Sequence, residues 1–176
     1  VQKWLKSSGV VKKQKVVSVR LKQTGEMRTQ PEGSWMPFVA TQYYDIEQPS
    51  FIWFTEVEAF SSIKMVGRDK LYKGKGAMLI KLASLIPVVD ESDHEQINSG
   101  TMLRFLGEIC WFPSAALNEY ITWESIDATS AKATFTMHQK SVSGIFKFAI
   151  NGDLVSFEAD RFYGGGKNAK LEKWLI

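Results

Sequence analysis

The sequence predicts an α+β fold, mainly β, in which a curved antiparallel sheet, a half-barrel, wraps a central helix and a short helix opens the chain. Three observations predict it. Nine segments alternate apolar and polar residues with period two, helical spacing occurs only near the N-terminus and at about 99–110, and the strands are joined by turns rather than by helices.

Val1 to Ser8 has Val1, Trp4 and Leu5 on one helical face, and Ser7-Ser8-Gly9 ends the helix. From Lys15 the period is two, with Val17, Val19 and Leu21 opposite Ser18, Arg20 and Lys22. Gln30-Pro31-Glu32-Gly33 is a turn into a second strand, where Met36, Phe38, Ala40, Gln42, Tyr44 and Ile46 share one face. Residues 51–58 form a third strand. Residues 61–72 and 76–88 form the next pair around Lys73-Gly74-Lys75-Gly76, and the run from Met78 to Ile86 is apolar enough to be buried on both sides. Asp90 to Glu95 is an acidic loop. The central helix follows over Ser99 to Cys110, with Asn98, Ser99 or Thr101 as its cap and Pro113 as its stop. Residues 119–127, 131–138, 141–150 and 153–163 are strands again, and Asn151-Gly152 predicts a type I′ hairpin.

At 176 residues, 44% hydrophobic and 23% charged, the chain suits a single domain over 1–176. One cysteine, Cys110, forbids an internal disulfide and zinc-finger spacings, and the two histidines lack metalloprotease spacing. No cofactor or metal is implied. Net charge is only +3, yet residues 1–28 carry eight cations against Glu26. That segment reads as the solvated side of an ordered strand or as a surface near anionic lipid; no nucleic-acid signature accompanies it. The chain begins without Met and closes on the apolar Leu171 to Ile176, which predicts a fragment whose last segment is either a docking strand or a truncated element. Localisation is left open, an envelope or membrane anchor upstream being compatible with the sequence.

Candidate chemistry gathers in a few places. Arg104 and Glu108, at i and i+4 on the central helix, are either a surface ion pair or a partly buried pair beside a ligand. Asp69, next to Arg68 on a strand, either caps the turn or pairs with another strand's cation, or else it joins Arg104 and Glu108 in acid-base work, as does Asp127. Tyr44, Trp53, Phe54, Trp111 and Trp123 are core rings or, with Arg104, the wall of an apolar cavity at the mouth of the sheet. Arg161 and Tyr163 add polar groups at a strand end. Ser114 lacks a nucleophile elbow, Cys110 reads as a buried inert thiol, and Gly164-Gly165-Gly166 as a turn.

These motifs carry a resemblance. Gly67-Arg68-Asp69, then Gly74-x-Gly76-x-Met78, then Leu103-Arg104-Phe105-Leu106-x-Glu108-x-x-Trp111-Phe112-Pro113-x-Ala115, then Trp123-x-x-Ile126-Asp127 and Ala159-Asp160-Arg161-Phe162-Tyr163, resemble a prokaryotic family of unknown function. The resemblance implies no activity. Its order of strands and helices is similar to that of periplasmic lipoprotein carriers, which shelter acyl chains inside a curved sheet.

The leading expectation is therefore a non-catalytic protein holding an apolar or lipid-like molecule against those rings, with Arg104 meeting a polar head. The alternatives are an enzyme using Arg104, Glu108, Asp69 or Asp127, and an envelope-associated scaffold whose rings are all core.

Overall fold

Alternation along the chain resolves into two antiparallel meanders rather than one wrapped sheet. The structure is a computed structural model and describes residues 1–13, 15–30, 32–163 except 61 and 62, and 169–176, the Phe60 side chain excepted. Strands β1 (Ser18–Met27), β2 (Met36–Asp45), β3 (Ser50–Phe60), β4 (Ile63–Tyr72), β5 (Lys75–Leu82) and β6 (Ile86–Ser92) form the first sheet in sequence order. Strands β7 (Ile121–Ser125), β8 (Ser130–Met137), β9 (Lys140–Phe148), β10 (Leu154–Tyr163) and β11 (Lys170–Leu175) form the second, also in sequence order. Helix α1 spans Gln2–Ser7, and α2 spans Glu95–Glu108, followed by two 3-10 turns at Ile109–Trp111 and Pro113–Leu117.

Several expectations about the elements change. The stretch 76–88 is two strands, because the chain reverses at Ala83 and Ser84, both with positive φ. Two successive residues with positive φ in a hairpin turn are usually announced by Asn or Gly, and neither stands there. The run it interrupts is half-buried, not enclosed, and Leu85 is 79% exposed at the reversal. At Asn151-Gly152 only the glycine has positive φ, and Gly152 N–H donates to Ala149 O, so the hairpin turns through a longer loop than type I′.

The acidic stretch is no loop either. Asp90 to Ser92 finish β6, His94 caps α2 by accepting from Ile97 N–H, and Glu95 begins the helix, where a negative charge suits the helix dipole. Asn98, expected as a cap, is buried and accepts from Gly76 N–H at 2.6 Å. The last segment is a strand, β11, paired with β10. The turn at 30–33 closes through Gly33 N–H to Gln30 O, although Pro31 itself, like Ser61, Ser62 and the glycine run 164–166 with its following Lys167-Asn168, lies outside the described residues.

Helix α2 lies between the sheets. Its Met102, Leu103, Phe105 and Leu106 are buried against Tyr44, Phe51 and Leu71 of the first sheet and Phe135, Phe146 and Phe157 of the second. The helix sits directly on β5 at Gly76, where a Cβ would stand 2.5 Å from Ile97 O. Phe157 fits because Gly107 and Gly144 offer no side chain. Helix α1 packs on the second sheet, burying Trp4 against Trp123, Phe146 and Phe148.

Candidate functional site

The register of the first sheet orders its helix-facing side chains into rows across the strands. One row is Val19, Tyr44, Phe51, Leu71 and Gly76; the next is Leu21, Gln42, Trp53, Asp69 and Met78. The third is Gln23, Ala40, Thr55, Gly67 and Ile80; the fourth is Gly25, Phe38, Val57, Met65 and Leu82. Helix α2 crosses the first two rows, meeting β5 at Ile97, β4 at Arg104 and β2 at Glu108.

At this crossing the helix and sheet share a buried polar network. Arg104 donates from Nε to Glu108 Oε1 at 2.9 Å, from Nη1 to Asp69 Oδ2 at 2.6 Å and from Nη2 to Gln42 Oε1 at 3.2 Å. Glu108 Oε2 accepts from Gln42 Nε2 at 2.9 Å and Tyr44 Oη at 2.6 Å. Gln42 is fully buried, Asp69 is 1% and Glu108 7% exposed. The guanidinium also lies over two rings, 4.8 Å from the Trp53 centroid and 5.1 Å from that of Phe51. Trp53 is held in turn by donating Nε1–H to Gln23 Oε1 at 2.8 Å.

The electrostatics follow from burial and pairing. Burial alone would lower the Arg104 pKa, but the Glu108 and Asp69 carboxylates outweigh it and hold the guanidinium charged. Burial, then the Glu108 charge, keeps the Tyr44 hydroxyl protonated far above its usual range, so it stays a donor. Arg161 of β10 has the opposite balance: burial lowers its pKa, and Asp69 is the foremost charge opposing that shift. Its guanidinium stacks on Trp174 of β11, 4.5 Å from the ring centroid.

Of the residues singled out from sequence, the structure brings together Tyr44, Trp53, Asp69, Arg104 and Glu108. The others go elsewhere. Phe54, adjacent to Trp53 on a strand, points to the opposite face and is 46% exposed. Trp111 sits on the helix exit, 49% exposed, and Trp123 packs between Trp4 and Phe146 in the second sheet. Asp127 is on the exposed β7–β8 turn, where it accepts from Thr129 N–H and Ser130 Oγ–H; those bonds, that of Ser130 foremost, lower its pKa. Cys110 is half-buried, with its pKa raised by burial.

Gln42 was missed as a member of the site although it carried a signal: it is the polar residue in the apolar phase of β2. A polar side chain on the core face of a strand needs a partner, and this one has two, Glu108 and Arg104. Trp174 gave less, since its neighbour across the sheet is set by the β10–β11 register.

The carboxylates are poorly placed for proton transfer. Both Glu108 oxygens are engaged, and one Asp69 oxygen is held by Arg104. Among the described residues no group of three or more His, Cys, Asp or Glu could hold a metal ion, and no helix is long and apolar enough to cross a membrane.

Two antiparallel sheets on a central helix, pinned by a buried arginine–carboxylate network, define a mainly β protein with a structural polar core. The chain belongs to a family of unknown function, DUF6544, whose model matches residues 1–176. No curated protein and no solved structure matches it.

Proposed function

We propose that this protein binds an apolar, lipid-like molecule on the helix-facing side of the first sheet, beside α2. The observation that carries this reading is a change in burial along one face. Where α2 covers the sheet, Tyr44, Phe51 and Leu71 are at most 4% exposed. In the two rows beyond it Phe38, Met65, Ile80 and Leu82 are only half-buried, around a buried floor of Ala40, Thr55 and Val57. Half-buried apolar side chains contiguous with a core are a feature of binding surfaces.

The shape favours a chain-like occupant. Ala40, Thr55 and Gly67 put three small residues side by side on β2, β3 and β4, flanked by the row of Gln42, Trp53 and Asp69 and by the row of Phe38, Val57 and Met65. Rows on one face are about 6.7 Å apart, so the small row is a shallow channel one side chain wide. Gly67 is required in its floor, since a Cβ there would stand 2.8 Å from Thr55 Cγ2.

The ring set differs from the one expected from sequence. Trp53 remains at the channel's border, whereas Phe54, Trp111 and Trp123 have no part in it. Arg104 is saturated by Asp69, Glu108 and Gln42 and serves to fix that border. Glu108, with both oxygens engaged, and Asp69, buried and tied to Arg104 through Oδ2, support carriage over acid-base catalysis.

Native mass spectrometry of the purified protein, with organic extraction, tests the reading. The expected result is a co-purifying or titratable apolar ligand that is lost in Ala40→Leu, a substitution that fills the channel. A protein that takes up no apolar molecule, or an Ala40→Leu variant that binds as wild type, would sink it.

A further inference from the structure

The face of the first sheet turned away from α2 has a charge pattern of its own. Across β1 to β4 the register sets Arg20, Tyr43, Ile52 and Lys70 in one row and Lys22, Thr41, Phe54 and Arg68 in the next. Strands lie about 4.8 Å apart and rows about 6.7 Å apart, so the four cations mark the corners of a rectangle of about 14 Å by 7 Å. Thr41, Tyr43, Ile52 and Phe54 fill it, and both rings are exposed. Arg20 and Lys22 belong to the basic N-terminal segment; Arg68 and Lys70 join them only through the pairing of the strands.

These cations are unmatched. None of the four makes an ion pair with, or donates a hydrogen bond to, a described residue; Arg20 leans over the Tyr43 ring, 5.4 Å from its centroid. The acids nearby are engaged or remote. Glu56, in the row beyond, pairs with Lys64 at 2.9 Å, and Asp45, in the row before, accepts from the Glu47 and Gln48 N–H groups. Asp90, the one acid in the same two rows, stands on the edge strand β6, two strands past Arg68. Cations grouped without counter-ions raise the local potential and draw an anionic partner.

The layout selects among anionic partners. Cations at the rim with rings and an aliphatic side chain between them suit a bilayer surface, where lipid phosphates meet the cations and rings sit at headgroup level. A single-stranded nucleic acid needs successive open rings along a cationic groove, but Arg20 covers Tyr43 and leaves Phe54 as the one open ring within the rectangle. A second copy docked through this face would set like charges against each other.

We propose that the outer face of the first sheet is a docking surface for an anionic phospholipid membrane, held by Arg20, Lys22, Arg68 and Lys70. It lies on the opposite side of the sheet from the channel and stands whether or not the channel takes a ligand.

Co-sedimentation with vesicles tests it. The protein should bind phosphatidylcholine vesicles containing about 30% phosphatidylglycerol more than about a hundredfold more tightly than phosphatidylcholine alone. That preference should vanish in about 1 M salt, where the Debye length falls to about 3 Å. Lys22→Gln combined with Lys70→Gln takes one cation from β1 and one from β4 and should weaken binding to the anionic vesicles about thirtyfold, or about fivefold for each charge. Lys6→Gln combined with Lys132→Gln removes the same charge from α1 and β8 and should bind as the unaltered protein does. The comparison of the two vesicles needs no variant to fold. Equal binding to both vesicles, indifference to the Lys22 and Lys70 changes, or an equal loss from the Lys6 and Lys132 changes overturns the proposal. So does a failure to bind the anionic vesicles, and capture of oligothymidylate in their place would assign the face to nucleic acid.

Discussion

Arg104 and Asp69, 35 residues apart in sequence, meet at 2.6 Å between α2 and β4, and the contact fixes where the helix lies on the first sheet. One guanidinium spans a strand of the middle of the sheet, a strand nearer its edge and the last turn of its own helix. A single residue therefore sets the helix's position along three elements at once.

Replacing Arg104 should be the most damaging single change in the network. Arg104→Met leaves Asp69 and Glu108 buried without a counter-charge, and breaking such a pair costs about 3–5 kcal/mol. Arg104→Lys keeps the charge but cannot hold Asp69, Glu108 and Gln42 together, because an ammonium lacks the planar fork, and should recover only part of the loss. Urea denaturation of the three proteins measures this. A methionine variant within 1 kcal/mol of wild type, about the worth of an exposed pair, would show that the network is not what holds the helix.

Gly76 should tolerate no side chain. Its missing Cβ lets Ile97 O and Thr101 Oγ1 approach β5, both to within 2.5 Å of where that atom would stand. The obstacle includes helix backbone, so the helix itself must move. Gly76→Ala should cost at the upper end of the 1–3 kcal/mol typical of overpacking, or about 3 kcal/mol. Thermal unfolding checks it, and a variant with unchanged Tm would contradict the close seating of α2.

The exposed rings should be dispensable. Phe54→Ala and Trp111→Ala remove side chains that border neither the network nor the channel. Each should change stability by less than about 0.5 kcal/mol, as surface substitutions do, and leave uptake of the apolar ligand, read by native mass spectrometry, unaltered. Loss of that ligand in Trp111→Ala would place it at the helix exit instead.

Much of this was legible in the sequence, for reasons that differ by residue. Alternation exposed the faces of β2 and β3, and the spacing of Arg104 and Glu108 put both on one side of the helix. Asp69 does pair with a cation, but that cation comes from α2 and not from another strand, because which element covers this face is set by long-range packing. Period two cannot tell one sheet from two, however, because it reports a face and not what covers it. The division into two meanders depends on α2 receiving a sheet on each side, a long-range matter. The turn at Ala83-Ser84 was hidden because neither residue favours positive φ on its own; pairing of β5 with β6 imposes it. The rings were over-gathered for a similar reason: Trp53 and Phe54 are neighbours in sequence and face opposite ways in the sheet.

The second sheet carries a pH-dependent clamp at Glu158. This carboxylate accepts from Lys147 on β9 and Lys173 on β11, each at 2.8 Å, so it ties β10 to both neighbours. Those hydrogen bonds, with Lys147 foremost, depress its pKa to about 2. A carboxyl with a folded pKa below its unfolded value stabilises the protein above the unfolded pKa, and the contribution disappears as pH falls through the folded one. The clamp is therefore whole at neutral pH, weakens as pH drops below about 4.3, the usual glutamate value, and is gone below the depressed pKa. Since Glu158 is only half-buried and both lysines are exposed, the gain at neutral pH is small and screened by salt. Glu158→Gln, which cannot ionise, should lower Tm modestly at neutral pH, and the gap from wild type should close on acidification. Melting both proteins from neutral pH to about pH 2 measures the gap. A difference that stays constant over that range would show that hydrogen bonding alone, without the charge, holds β9, β10 and β11 together.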